Sequence, residues 1–302
     1  MHNWVSRPGR KGLGEGPAFL AAILVVAIWG ETFVSSKVLL NAGLFPAEIF
    51  VCRFLLAYAG IWVVSPKRLW SESWMHELKL MAVGLMGGSL YFLSENMALM
   101  YSTASNVAII VGTVPLVTAI LMACFYRDER LNRRQIVGSI IAFAGLVMVI
   151  LNGQLILHLN PLGDLLAFGA ALTWGVYSLV MKQLSPHYGV TFITRKVFAY
   201  GLLTILPYFA LVDPFHYNAQ VFAQPRVWMN LLYLGLVASL LCFILWNWVL
   251  KRLGTVKATN LLYLQTLFTM LISSIVLAEQ ITLMAVSGAL ILIMGMVMAS
   301  RN

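Results

Sequence analysis

The sequence has few charged residues: only 10% of its 302 residues are Asp, Glu, Lys or Arg, and 61% are hydrophobic. An average soluble domain carries about 25% charged residues, so this composition excludes an ordinary soluble fold. The chain also has only three cysteines and no CxxC spacing, which indicates neither a disulfide framework nor a cysteine metal site.

Catalytic motifs are missing as well. The sequence contains no Walker A pattern (GxxxxGKS/T), no HExxH, no GxSxG and no cluster of His or Asp near the end of an apolar run. We therefore predict no catalytic residue, no metal ion, no cofactor and no enzyme activity. The alternative that stays open is a membrane-embedded enzyme or a flippase that acts on a lipid-linked substrate.

What the chain does have is a series of long uncharged runs, and about 20 apolar residues are enough to cross a bilayer as a helix. The runs lack the alternation of a membrane β-barrel. They predict an all-α membrane protein with ten transmembrane helices, near residues 18–40, 46–64, 80–99, 103–125, 135–151, 162–182, 190–211, 228–250, 257–277 and 281–299.

The basic residues lie mostly between the predicted helices. If the N-terminus lies on the cytoplasmic side, the cytoplasmic segments hold fifteen Lys and Arg, and the segments on the other side of the membrane hold only Arg226. Cytoplasmic loops carry this excess, so both termini are predicted to be cytoplasmic. The net charge of +9 therefore reflects membrane topology, and we predict a lipid bilayer and no nucleic acid as the partner.

The two halves of the sequence repeat. WGETFVSSK recurs as WGVYSLVMK, which pairs Trp29 with Trp174 at an offset of 145 residues. Arg53 pairs with Arg195 at an offset of 142, and Asn96 pairs with Asn247 at 151. We predict two five-helix domains, 1–151 and 152–302. Because five is odd, the second enters the membrane from the opposite face, as in transporters built from inverted repeats.

The chain resembles the EamA-type branch of the drug/metabolite transporter superfamily over essentially its whole length. The resemblance rests on the two W-G pairs, on TASNVAIIVGTVPLVTAIL, on the DERL and AEQIT stretches that precede paired glycines, and on GDLLAFGAALTWGVY. It departs at Gln265, where the repeat would place the partner of Pro115, so a proline kink is not encoded in helix 9.

This resemblance implies a multi-pass protein of the bacterial cytoplasmic (inner) membrane whose helices surround a central cavity. It further implies a secondary transporter that exports a small metabolite or amino-acid-like solute by alternating access. Helices 5 and 10 are expected to support the fold away from the cavity.

Three charges lie at similar depths in the first half: Glu31, Arg53 and Glu95. One hypothesis is that they meet in the cavity, where Arg53 binds a carboxylate and a glutamate carries a proton as the coupling ion. The other is a structural ion pair. Both stay open for Arg53 and Glu31, and the structural role is favoured for Glu95. Arg195 is expected to face the cavity because it is the repeat mate of Arg53.

Uncharged residues complete the predicted substrate-binding set. Trp29 and Trp174 fall at mid-helix, away from the usual interfacial belt, and are candidate cavity walls. Polar residues within the predicted spans add Tyr91, Asn96, Tyr263 and Gln265. The GxxxG of Gly84 and Gly88 is a weak sign of helix packing that leaves a homodimer open.

Overall fold

The computed structural model describes residues 15–65, 69–102, 104–126, 132–151, 160–268, 271 and 281–300. Over these ranges the chain is helical and has no β-strand. A membrane favours this outcome, because every backbone N–H and C=O in lipid must find its partner within the helix.

The described residues of the first half form six helices. They are α1 (Glu15–Asn41), α2 (Pro46–Val64), α3 (74–101), α4 (Ala104–Val111), α5 (Val114–Phe125) and α6 (Arg133–Leu151). Helix α3 is continuous but not uniform, because a π-helical stretch, Leu85–Leu90, joins its two α-helical parts.

In the second half, seven helices lie within the described ranges. They are α7 (Pro161–Leu184), α8 (Val190–Thr204), α9 (Leu206–Leu211), α10 (Ala219–Phe222), α11 (Pro225–Leu253), α12 (255–268) and α13 (Leu283–Ser300). Helix α11 also contains a π-helical stretch, Tyr233–Leu241. The repeat relates Asn96 to Asn247 at an offset of 151 residues. At this offset the π-helical residues 85–90 of α3 correspond to residues 236–241, which lie within the π-helical stretch of α11.

Seven segments of the described chain are long and apolar enough to cross a membrane: Glu15–Asn41, Pro46–Val64, Val107–Phe125, Arg133–Leu151, Pro161–Leu184, Val190–Leu211 and Pro225–Leu253. The protein is therefore a multi-pass α-helical membrane protein. The other three predicted spans fall on α3, on α12, whose continuation lies largely outside the described residues, and on the shorter apolar helix α13. The total of ten spans stays a prediction.

Helices α6 and α13 pack directly on each other through glycines. A Cβ added to Gly138 would clash with the backbone of Ala299, and one added to Gly145 would clash with the backbone of Leu292. The residue number rises along α6 as it falls along α13, so the two helices run in opposite directions. Small residues allow this close backbone approach in a membrane.

Helices α2 and α8 are also antiparallel. The ring of Phe54 lies 5.1 Å from that of Phe198 (centroid to centroid). The carbonyl of Ser65, directly after the end of α2, accepts a hydrogen bond from Arg195, which is earlier in α8. Both pairs, α6 with α13 and α2 with α8, join segments that the sequence repeat relates.

The GxxxG motif of α3 packs against other helices of the same chain. A Cβ on Gly84 would clash with Tyr200 and approach the backbone of Gly201, and one on Gly88 would press on Phe54 and on Gly201. This pattern therefore packs α3 against α8 and α2. The only sequence sign of a homodimer thus has a role inside one chain.

Pro115 lies in the first turn of α5, just after the helical run breaks at Gly112 and Thr113. The corresponding part of the second half lacks proline, yet α12 changes there to a 3₁₀ turn, Leu261–Tyr263. The helix thus departs from α geometry near Gln265 without a proline to impose the change.

Candidate functional site

The site is built around Arg53, in the middle of α2, which is only 1% exposed. Its Nε donates a hydrogen bond of 2.9 Å to Ser239 Oγ in the π-helical stretch of α11, and its Cζ lies 4.2 Å from the ring centroid of Phe92 in α3. Within the described chain, Nη1 and Nη2 have no hydrogen-bond partner. Most of the hydrogen-bonding capacity of this guanidinium is therefore unused.

Glu95 lies one turn after Phe92 on α3 and is 7% exposed. Tyr91 donates a 2.7 Å hydrogen bond to its Oε1. Arg53 and Glu95 are close enough to interact electrostatically, but no ion pair joins them among the residues that the structure describes. Two opposite charges are thus buried in one region without a direct bond between them.

Aromatic rings enclose this region. Trp29 of α1 lies 5.5 Å from Trp174 of α7, 5.2 Å from Trp246 and 6.1 Å from Phe243 of α11, centroid to centroid. Tyr91 lies 4.9 Å from Trp174 in the same way. Buried aromatic walls with a few polar groups are typical of small-molecule sites. We call this group of residues the central cluster: Trp29, Arg53, Tyr91, Phe92, Glu95, Trp174, Ser239, Phe243 and Trp246.

The indole N–H groups of the cluster differ in their partners. Trp29 Nε1 donates to the carbonyl of Ala238, at 2.9 Å, in the π-helical stretch of α11. The Nε1 atoms of Trp174 and Trp246 are buried and have no hydrogen-bond partner within the described residues. Since buried donors are nearly always bonded in proteins, two such donors beside a buried charge mark this region as unusual.

Close helix packing positions these side chains. A Cβ on Gly235 would clash with Leu56 and approach the carbonyl of Arg53, so this glycine lets α11 lie directly on α2. Gly235 lies within the π-helical stretch, which also contains Ser239, the partner of Arg53. Short π-helical segments are frequently found at functional sites.

Six of the ten predicted substrate-binding residues are brought together. Trp29, Arg53, Tyr91, Glu95 and Trp174 belong to the central cluster, and Gln265 joins its edge because its Nε2 donates a 3.2 Å hydrogen bond to the carbonyl of Trp29.

Four of the predicted residues lie elsewhere. Asn96 Nδ2 bonds the carbonyl of Pro46 at 3.4 Å, and Tyr263 packs with α6 and α13, where its hydroxyl approaches the carbonyl of Ser139 at 3.4 Å. Glu31 is partly exposed and forms no hydrogen bond or ion pair with the described residues. Arg195 is not brought to Arg53: it bonds the carbonyl of Ser65, and its Cζ lies 4.8 Å from the ring centroid of Trp62.

Sequence reasoning did not single out Ser239, Phe92 or Phe243, and it regarded Trp246 as a core residue. The repeat carried one usable signal, since Trp246 occupies the position that corresponds to Glu95 at the offset of 151. Nothing local marks Ser239, because its contact with Arg53 spans 186 residues and depends on a π-helical turn.

A second buried group of charges links α3 to α8. Glu77 Oε1 accepts hydrogen bonds from Lys196 Nζ and from the Tyr200 hydroxyl, and its Oε2 accepts one of 2.9 Å from the backbone N–H of Ser71. We call Glu77, Lys196 and Tyr200 the paired cluster. The described residues contain no group of three His, Cys, Asp or Glu that could hold a metal ion.

The chain is similar to named transporters. It is 28% identical over 289 residues to an uncharacterized transporter of Archaeoglobus fulgidus, covering 94% of this chain and 97% of the relative. A probable amino-acid metabolite efflux pump of Salmonella typhimurium is 27% identical, covering 91% and 92%. A probable terminal-alkyne amino-acid exporter of Streptantibioticus cattleyicolor is 26% identical, covering 94% of each.

The fold is also known. A crystal structure of a protein that is 18% identical matches with a TM-score of 0.73, covering 94% of this chain and 96% of the other, and at this identity the likeness concerns the fold alone. The model of the EamA-like transporter family matches residues 16–151 and 161–301. These two matches include most of the sequence, and the chain therefore belongs to the EamA-like transporter family.

Proposed function

We propose that the protein is a secondary transporter that exports a small metabolite or amino-acid-like solute by alternating access, and that Arg53 binds an anionic group of this solute. The observation that carries the proposal is the buried guanidinium whose Nη1 and Nη2 have no hydrogen-bond partner among the residues that the structure describes. A carboxylate matches the two terminal nitrogens of arginine in geometry and charge.

The arrangement of the halves supports a transport mechanism. In this proposal ten spans form two five-helix domains, 1–151 and 152–302, inverted relative to each other around the central cluster. The antiparallel packing of α6 on α13 and of α2 on α8 is what an inverted repeat requires. The central cluster draws its side chains from both halves, so a rocking motion of one half against the other changes access to it.

The relatives support the direction and the solute class. Two of them carry names that state amino-acid metabolite efflux or amino-acid export. We place both termini of the protein in the cytoplasm of a bacterium, following the charge bias of the loops. The transporter family also favours transport over the alternative of an enzyme that acts on a lipid-linked substrate.

A direct test starts with a thermal-shift screen of metabolites against the purified protein, followed by movement of the hits across liposome membranes. We expect the hits to carry a carboxylate and to cross unchanged. Chemical conversion of a hit would instead support the enzyme alternative, and movement of labelled lipid between leaflets would support the flippase.

The role of Arg53 is tested by Arg53→Gln, which should abolish movement of a carboxylate solute. Lys37→Gln is the matched control, because Lys37 is another cation within a span and its Nζ bonds only the carbonyl of Leu99 at 3.3 Å. Transport that survives Arg53→Gln at the level of Lys37→Gln would contradict the proposed role.

Proton coupling is tested at Glu31. If Glu31 carries the coupled proton, Glu31→Gln abolishes the pH dependence of solute movement into liposomes. If transport and its pH profile survive the substitution, Glu31 does not couple protons.

A further inference from the structure

We propose that Glu95 binds the ammonium group of the solute, so that the recognised class is the amino-acid zwitterion with a free amine. This inference rests on the proposed function, in which Arg53 binds the carboxylate, and adds a second subsite to it.

The hydrogen bonding of Glu95 leaves room for a cationic ligand. Oε1 accepts the Tyr91 hydroxyl at 2.7 Å, and Oε2 has no hydrogen-bond partner in the part of the chain that the structure describes. A carboxylate accepts several hydrogen bonds, and an ammonium group offers three donors. Glu95 is nevertheless 7% exposed, so bulk water does not satisfy it freely.

The surroundings of Glu95 also favour a cation. The ring of Tyr91 lies 4.9 Å from that of Trp174 and 5.0 Å from that of Phe92, centroid to centroid, so aromatic side chains are packed beside the carboxylate. Aromatic faces attract cations, and a carboxylate with aromatic neighbours is a common way to hold an amine.

The two charges together select a zwitterion. Arg53 and Glu95 interact electrostatically but form no ion pair with each other, and each keeps unused hydrogen-bonding atoms. A solute with both a carboxylate and an ammonium group satisfies both residues at once. A solute with only the carboxylate leaves Glu95 buried and unpaired, which is costly, so the site discriminates against it.

The first test uses the wild-type protein and needs no variant. Matched triplets on the side chains of leucine, methionine and phenylalanine provide the probes: the amino acid, the α-hydroxy acid that lacks the amine, and the amino-acid amide that lacks the carboxylate. Binding by titration calorimetry should favour the amino acid over both analogues by at least about tenfold in one or more triplets.

The second test assigns the discrimination to Glu95. Glu95→Gln should reduce the preference for the amino acid over the hydroxy acid to less than about threefold, while binding of the hydroxy acid is kept or improved. Tyr91→Phe keeps both charges and removes only the hydroxyl that bonds Oε1, so it should reduce the preference by a smaller factor.

The outcomes separate the two proposals. If wild-type protein binds the hydroxy acids as well as the amino acids, the ammonium subsite is wrong while a carboxylate transporter centred on Arg53 stands. If no triplet compound binds and the metabolite screen finds only carboxylate solutes that lack a free amine, the subsite is again wrong. If the screen finds only solutes without a carboxylate, the role of Arg53 fails instead.

Discussion

The central cluster and the paired cluster both bury a basic side chain and a glutamate of α3, but they differ in how completely these charges are bonded. In the paired cluster both oxygens of Glu77 accept hydrogen bonds, and one of the donors is Lys196. In the central cluster Arg53 and Glu95 each have a single hydrogen bond within the described part of the chain, and none joins them to each other. The paired cluster is satisfied by hydrogen bonds from the protein, whereas the central cluster leaves hydrogen-bonding groups that a ligand could use.

We interpret this difference as one between a structural role and a binding role. A buried ion pair whose hydrogen bonds are all made holds its helices together, and loss of one partner strands the other. A buried charge with unused donors needs an acceptor from outside the protein, and a ligand that carries an anionic group supplies one. The arginine pair of the repeat illustrates both cases. Arg195 bonds a carbonyl and lies against Trp62, while the terminal nitrogens of Arg53 have no hydrogen-bond partner among the described residues.

The largest effect on stability is expected from Lys196→Met, which leaves Glu77 buried without its cation. The free energy of unfolding should fall by about 3–5 kcal/mol. Thermal unfolding of the purified variant measures the loss. The control is the double variant Lys196→Met with Glu77→Gln, which should recover much of the lost free energy of unfolding. Equal losses in the single and double variants would show that packing, not charge pairing, holds the paired cluster.

A smaller effect is expected from Ser239→Ala, which removes the acceptor of Arg53 Nε. A hydrogen bond to a charged group contributes about 1.5–3 kcal/mol. Because the bond fixes the direction of the guanidinium, we expect solute affinity to fall by about tenfold, as 1.4 kcal/mol corresponds to a factor of ten. Calorimetric titration of the variant with the solute measures this affinity. Unchanged affinity would mean that Arg53 does not need Ser239 for its placement.

The smallest effect is expected from Ser89→Ala. Ser89 lies 150 residues before Ser239, at the offset that relates Glu129 to Glu279, and its hydroxyl is 2.8 Å from that of Thr204. This neutral bond between helices should contribute only about 0.6 kcal/mol, and solute affinity should not change. An affinity loss as large as that of Ser239→Ala would remove the contrast between the two positions.

The sequence predicts the class of the protein and much of the site. Few charges and long apolar runs are enough to predict membrane helices, and charges within such runs are costly enough to single out Arg53 and Glu95. The tryptophans at mid-helix indicate the wall of the site for a similar reason, since tryptophan otherwise prefers the membrane interface.

The sequence does not predict which way each side chain faces. Arg195 and Lys196 are adjacent and point about 100° apart on a helix, so repeat pairing alone selects Arg195. The partner of Lys196 is Glu77, 119 residues away, and no local pattern reveals such a contact. The π-helical stretches of α3 and α11 also shift the helical phase, so a regular helical wheel misplaces Ser239.

The most direct test of the binding role of the central cluster is the shift in the thermal unfolding midpoint that a saturating solute causes, in the wild-type protein and in Arg53→Met. We predict that the solute raises the midpoint of the wild type, that the variant without solute loses less stability than Lys196→Met, and that the solute gives the variant no shift. A variant that is destabilised as strongly as Lys196→Met, or one that keeps the full solute shift, would contradict the account.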